Sequence, residues 1–520
     1  MKNKIIYLCV WIGIFSFSGC SDFGDINIDP NNPSQADTRF LFARAMQGVT
    51  SAVFTSAPAP STSTYDPFSQ LYPQYLAEAQ NIQYTEFGIV DFNMGTYYYT
   101  FLRNLQLIIA MNQDEKQKAT EFVMGMGSNA NQIAAAKTLE AFYYMHMTDI
   151  VGMIYFSEAL QGDQGNFTPK FDSQKDIYTA LDAKLNEAYT MFNEKETFDA
   201  TYDLLYGGKI AKWKQLNASL RMLMAIKLSD VEPETGKARF VKAYNDGGIK
   251  TNESNLRYRY LNETANMNPL YDNMEVSKRK DFAPAKTIID ALIAHKDPRT
   301  LSYGVPNPQG KYDAVPFGVA RANISAYKGK IVMLNPKVYA MDATITIISA
   351  ARMLLVESEA AVRGWITADA AELYKKAIKA SFEEKDFKSD IAKYENSDPE
   401  LLKKLQDEYG FITNVDEYVA QANVALTGTM EEKIAKIGMQ RWMNGFMEDG
   451  IEAWSDWRRL NIPKLTPGEA AAGTIKHVPY RRYYHLGDYE VNKENYDAAI
   501  AAQGPDNFET RVWWDTKDND

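Results

Sequence analysis

Apolar positions recur along this chain at helical spacing. Tyr98, Leu102, Leu105 and Ile109 are four, three and four residues apart, and Ile177, Leu181, Leu185, Ala188 and Phe192 four, four, three and four. Trp213, Leu216, Leu220 and Leu223 follow at three, four and three. Each spacing draws an apolar stripe along one helix face. Further helices are predicted over 132–148, 346–363, 368–382 and 430–447. Gly364 interrupts an alanine-rich helical pattern, and Thr367 stands where it can cap a second helix from Ala368, so this stretch predicts a helical hairpin. Ala360, Ala361, Ala377 and Ala380 are small enough to let the two helices approach closely.

Such a hairpin looks like a tetratricopeptide-type unit, although no strict repeat of about 34 residues runs through the chain. Between the helices lie long segments rich in Gly, Pro, Asn and Tyr, over 58–92, 257–282, 302–336 and 466–492. Loops of this length are functional or disordered, and their aromatic content argues against disorder. The expected fold is mainly α: a tetratricopeptide-like helix-pair scaffold carrying long irregular loops, in a single domain over 41–520.

The N-terminus has a different pattern. Met1-Lys2-Asn3-Lys4 precedes an uncharged apolar run from Ile5 to Phe17. A basic start and a short apolar core predict a secretory signal. About 13 helical residues span only ~20 Å, short of the ~30 Å bilayer core. Ser18-Gly19-Cys20 looks like a bacterial lipoprotein cleavage site, with Phe17 a departure from the usual aliphatic residue. The expectation is a signal over 1–19, lipidation of Cys20 and a tether over 20–40. Two or more acyl chains give stable anchoring. Cys9 and Cys20 are the only cysteines, so an acylated mature chain has no thiol for disulfides, zinc or nucleophilic catalysis.

Charge narrows the partners. The formal net charge is −11, and losing Lys2 and Lys4 leaves 54 basic against 67 acidic side chains. That balance disfavours nucleic acid and charge-driven docking on anionic lipid.

Little in the sequence supports catalysis. The four histidines, His146, His295, His477 and His485, form no metal-binding pair, and there is no nucleophile elbow or phosphate loop. Glu357 and Glu359, two apart on a predicted helix, point apart, and Glu359 is placed for a surface pair with Arg363. Asp25 to Pro33 alternates oxygen ligands like the start of a calcium loop, but Pro30 sits where such a loop needs glycine and no glutamate closes it. No cofactor is therefore expected, and calcium is possible without support from the sequence. The stretch from Gln440 to Arg459 places Trp454 and Trp457 on one helix face, with Arg458 able to cover an indole or pair with Asp456. A buried aromatic lock is the expected role, and Trp513-Trp514 is expected to pin the tail.

Taken in order, several motifs resemble the SusD/RagB nutrient-binding outer-membrane lipoproteins of Bacteroidetes. They are the Cys20 start, Asn27-Ile28-Asp29-Pro30-Asn31-Asn32-Pro33, Thr168-Pro169-Lys170-Phe171-Asp172, Tyr206-Gly207-Gly208, Asn268-Pro269-Leu270-Tyr271, Asp297-Pro298-Arg299, Leu354 through Gly364, Trp454 through Arg459, Val478-Pro479-Tyr480 and Trp513-Trp514-Asp515. The resemblance implies a surface-exposed, lipid-anchored, non-catalytic protein. It would capture oligosaccharides, or in some members peptides, and deliver them to a TonB-dependent SusC-like transporter. The tryptophans fall on scaffold or tail motifs, so the ligand surface is expected from loop residues: Tyr65, Tyr72, Tyr84, Tyr97, Tyr258, Tyr260, Tyr271 and Tyr312, with Asn266 supplying hydrogen bonds. A surface glycoside hydrolase and a protein-binding adaptor are the competing readings.

Overall fold

The computed structural model describes residues 36–54, 67–80, 84–88, 91–471 and 475–517. Cys20, the Asp25–Pro33 leader and Tyr65 lie outside the described residues.

After α1 (Thr38–Gln47) and α2 (Arg103–Gln113) comes α3 (Asn129–Val151), the longest helix described. From Asn131 to Val151 every residue of α3 except Lys137 is buried, as for a helix surrounded by others. Ser128 caps it by accepting the Asn131 N–H, and Gly152, at φ +87°, turns the chain away at its end. It packs on α4 (Gln174–Met191), and α5 (Ile210–Lys227) packs on α6 (Pro233–Asp246). Next come α7 (Lys286–Ala294) and the pair α8 (Ala350–Val362) and α9 (Ala370–Lys385), followed by α10 (Phe387–Ser397) and α11 (Pro399–Tyr409). The last long helices are α12 (Met430–Asn444), α13 (Gly450–Leu460) and α14 (Lys493–Gln503). The fold is mainly α, built on sequence-adjacent helix pairs, as the periodicity predicts.

Two boundaries differ from expectation. Residues 344–348 are a strand, not the start of a helix, because Thr344-Ile345-Thr346-Ile347-Ile348 is a β-branched run that suits a pleated ladder. The strand pairs antiparallel with Leu256–Arg259, and Ser349 then caps α8. The α8–α9 turn does use Gly364, at φ +70°, but the cap of α9 is Asp369, which accepts from both Ala371 and Glu372 N–H, rather than Thr367. The loops are tied down by short ladders such as Leu76–Glu78 with Phe282–Pro284. One hydrophobic cluster extends from Phe42 to Trp514.

Ion pairs are buried between the helices. On α3, Asp149 accepts from Lys227 Nζ of α5 (2.6 Å), from Tyr178 Oη (2.6 Å) and Gln174 Nε2 (3.1 Å) of α4, and from Trp514 Nε1 of the tail (2.8 Å). Arg458 of α13 donates to the Asp149 carbonyl at 2.7 Å and lies 3.8 Å above the Trp454 ring and 4.6 Å from that of Trp514. The aromatic lock and the pinned tail are therefore present, and Arg458 covers indoles rather than pairing with Asp456. Asp456 instead takes Arg352 Nη1 at 2.9 Å.

Glu359 corrects the sequence reading. It is fully buried, bridged by Arg441 (2.5 Å) and by both terminal nitrogens of Arg459 (2.5 and 2.8 Å), with Arg363 at 2.9 Å, so it is a junction of α8, α12 and α13 rather than half of a surface pair. Glu357, two residues earlier and on another side of α8, has no hydrogen-bond partner among the described residues, and Lys250 Nζ is 3.8 Å distant. Burial pushes its carboxyl up to about 7, against the opposing pull of Lys250.

Removing one partner of a buried ion pair strands the other charge at a cost of about 3–5 kcal/mol, whereas an exposed helical pair contributes at most ~0.5 kcal/mol. Asp149→Ala is expected to lower the denaturant midpoint strongly, and Lys286→Ala, which breaks the exposed pair with Asp290, to leave it nearly unchanged. Equal effects in the two variants would contradict the ranking.

The Glu357 carboxyl holds its proton more tightly folded than unfolded. Between pH ~4.5 and ~7 the folded chain keeps a proton the unfolded chain has lost, so its contribution to stability falls as pH rises through that window. Glu357→Gln should thus gain stability over the parent by up to about 3 kcal/mol on going from pH 4.5 to pH 8. Denaturant curves at the two pH values measure it, and a pH-independent difference would mean the carboxyl is not desolvated.

Candidate ligand groove

Immediately before α2 the chain makes a π-helical turn, Tyr97–Leu102. The turn faces Tyr97, Tyr98, Phe101 and Leu102 inward and leaves Tyr99 80% exposed. π-turns often mark functional positions. Tyr98 donates to the Tyr155 carbonyl at 2.5 Å, which fixes the turn against the two-residue strand Ile154–Tyr155 just beyond α3. That strand pairs with Phe171–Asp172, and the loop between them carries Phe167, 78% exposed. Gly165, at φ +82°, closes the turn that presents it.

A short helix, Leu486–Val491, forms the third wall. It is capped by His485, whose Nδ1 accepts the Gly487 N–H at 3.1 Å. Asn492 ties it to the Phe167 loop by donating to the Pro169 carbonyl at 2.7 Å. Tyr155 Oη donates to Asp488 Oδ1 at 2.8 Å across the floor. Burial raises the Asp488 carboxyl above its usual range, against the Tyr155 hydrogen bond, which lowers it. The open groove between these walls has a volume of about 570 Å³ and is lined also by Asn93, Gln161 and Asn166.

Exposed apolar surface concentrates here. Of the twelve large hydrophobic residues left exposed among the described residues, five lie on these segments: Tyr99, Phe167, Leu486, Tyr489 and Val491. Isolated exposed hydrophobics carry no message, but a cluster rimmed by polar groups marks a binding surface. Two other cavities among the described residues carry none of these exposed side chains. One of about 300 Å³ is lined by Lys337 and Lys385, each already paired, with Asp390 at 2.5 Å and Glu448 at 2.7 Å. A second, of about 630 Å³, has Tyr244 as its aromatic lining residue, and Lys250 covers that ring at 4.7 Å.

Most of the tyrosines expected at the ligand surface are elsewhere. Tyr72, Tyr97, Tyr258, Tyr260 and Tyr312 are at most 5% exposed. Their rings pack edge-on in the core, Tyr72 on Trp454 at 5.1 Å, Tyr97 on Phe101 at 5.8 Å, Tyr258 on Tyr260 at 5.2 Å and Tyr312 on Tyr409 at 5.5 Å. They are structural, because the long loops fold back onto the scaffold and spend their aromatics on that packing. Tyr84 and Tyr271 are half-buried, and Asn266 is engaged by Gln47 and Glu263 at 3.1 and 2.8 Å. None of the three lines the groove. Tyr99, Tyr155, Phe167 and Asp488 lie outside that expectation; of the four, only Phe167 follows a turn-forming run, Gly162-Asp163-Gln164-Gly165-Asn166, that marks it in the sequence.

Among the described residues one group, His146, Asp449 and Glu452, brings metal-ligand side chains within 4.8 Å of one another. The arrangement is an ion-pair cluster. His146 Nδ1 lies 2.7 Å from the Phe142 carbonyl and Nε2 2.7 Å from Asp449 Oδ2, hydrogen-bond distances that suit an imidazolium held by a carboxylate. Burial opposes that positive charge, but Asp449 raises the His146 pKa, and Lys227 pairs with Glu452.

Among the described residues no helix is long and apolar enough to cross a membrane. The model of the SusD-like_2 family, described as "Starch-binding associating with outer membrane", matches residues 30–485. Similar solved structures include a chitin-binding SusD homologue from Flavobacterium johnsoniae, with 22% identity, 92% of this chain and 99% of that one covered, and a TM-score of 0.73. A SusD homologue from Bacteroides fragilis has 22% identity, 91% and 99% coverage and a TM-score of 0.72, and one from Bacteroides uniformis has 22%, 92%, 100% and 0.72. At such identities the likeness establishes the fold. No curated protein sequence matches the chain.

Proposed function

The chain belongs to the SusD-like family of outer-membrane-associated starch-binding proteins, and on that premise we propose that it captures oligosaccharides at the cell surface and delivers them to a partner TonB-dependent SusC-like transporter. The observation that carries the reading is the pair of solvent-facing rings, Tyr99 and Phe167, on a groove with amide side chains. The C–H face of a sugar stacks on an aromatic ring, and its hydroxyls need polar partners at the edge. Asn93, Gln161 and Asn166 supply those amides. Starch-type glucans and chitin-type glycans both fit this chemistry.

The protein binds without turnover. A glycosidase needs two carboxyl groups flanking one bond, and Asp488 is the single carboxylate among the lining residues. Acyl chains on Cys20 hold the protein at the outer membrane through a tether shorter than the expected 20–40, because the folded domain already begins with α1 at Thr38, and this leaves the groove free to meet the transporter.

Titration calorimetry with an oligosaccharide panel tests the site. Tyr99→Ala and Phe167→Ala should each weaken binding about three- to tenfold with unchanged thermal stability. Tyr97→Ala, two residues away but buried, should instead destabilise the fold by about 3 kcal/mol. Glycan affinity untouched by both exposed-ring variants would refute the groove, and release of reducing ends would refute binding without turnover.

A further inference from the structure

The electrostatics of the groove are one-sided. No lysine or arginine is among its lining residues, and its single carboxylate, Asp488, sits on the floor. Asp91 lies 3.7 Å from His485 at the edge, and Glu158 stands behind Asn166, accepting its amide at 3.3 Å. Three cations next to the lining segments already face carboxylates of their own, and Arg103, one turn after Tyr99, donates to Gln106 Oε1 at 3.0 Å. Lys493 is 2.6 Å from Asp497, Arg481 is 2.8 Å from Asp506, and Lys170 is 3.8 Å from Asp172. His485 Nδ1 accepts the Gly487 N–H at 3.1 Å, and its Nε2 faces Asp91. The chain as a whole has a net charge of −11.

A site that takes up uronates or sulfated sugars needs cationic donors, since these groups are recognised by Arg and Lys pairing. Here the donors in reach are neutral. Asn93 uses its Oδ1 on the Gly95 N–H at 2.8 Å, which leaves its NH₂ free among the described residues. Gln161 uses its Nε2 on the Ser157 carbonyl at 3.1 Å, which leaves its amide oxygen free among the described residues. One free amide donor and one free amide acceptor, beside two exposed rings, match hydroxyl and acetamido substituents.

We propose that this groove selects uncharged glycans, N-acetylated ones included, and rejects uronate- and sulfate-bearing chains, with Asp488 as a specificity-determining residue. The inference rests on the reading of the groove as the glycan site. An anionic sugar placed on the Tyr99–Phe167 rim is repelled by Asp488 with no lysine or arginine among the lining residues to compensate, which weakens binding about tenfold at low ionic strength and less as salt screens the charges.

The experiment compares maltohexaose, chitohexaose and hexagalacturonate as probes on the full chain, Asp488→Asn and Tyr99→Ala, at low and high salt. A neutral probe should bind at least about tenfold more tightly than hexagalacturonate. That ratio should fall about threefold or more in Asp488→Asn, which keeps the acceptor for Tyr155, and should also fall at high salt. Hexagalacturonate binding as tightly as the neutral probes, and lost in Tyr99→Ala, would overturn the charge selection while leaving the groove intact. Binding that ignores Tyr99→Ala, or no binding by any probe, would overturn the groove and this inference together.

Discussion

Asp149 is a carboxylate with no access to water, and everything that compensates it comes from somewhere else in the chain. Lys227, Tyr178, Gln174 and Trp514 reach it from α5, α4 and the C-terminal tail, and Arg458 of α13 takes its carbonyl. Burying an unpaired ion costs several kcal/mol. The network is therefore satisfied only when three helices and the tail are all seated on α3. Glu359 imposes the same condition on α8, α12 and α13 through Arg441 and Arg459. Apolar burial makes such a bundle compact, but these junctions single out one arrangement of its helices.

The groove is keyed to the same end of α3. Beyond Asp149, the Ile150 carbonyl accepts from Arg482 N–H at 3.0 Å, and the Val151 carbonyl accepts from Gln503 Nε2 at 3.1 Å. Met153 N–H donates to Gln503 Oε1 at 2.6 Å, and its carbonyl accepts from Tyr484 Oη at 2.7 Å. These bonds place the Tyr155 strand, the segment leading into the Asp488 helix and α14 against one another. The rim rings can stay exposed because the backbone beneath them is fixed by buried contacts, as a pre-organised site requires.

The scaffold was legible because helix faces write themselves into spacing: the stripes at Tyr98, Ile177 and Trp213 all lie on observed helical turns. The aromatic lock at Trp454 was legible from its i, i+3 pair. The site was not. Composition identifies loop tyrosines but not which way they face, and one step in a helical turn separates buried Tyr98 from exposed Tyr99. Glu359 was misread for a related reason. An i, i+4 glutamate–arginine pair looks the same on a surface and in a core, and its partners Arg441 and Arg459 are 82 and 100 residues away.

The central claim is that sugar rings lie on Tyr99 and Phe167. Oxidative footprinting of the intact protein, with and without a bound oligosaccharide, reads it directly, because both side chains are exposed when free. The account predicts that a saturating glycan protects Tyr99 and Phe167 from modification and leaves other exposed rings, such as Phe40 and Phe122, unchanged. Protection confined to other surfaces, with Tyr99 and Phe167 still reactive at saturation, would contradict it.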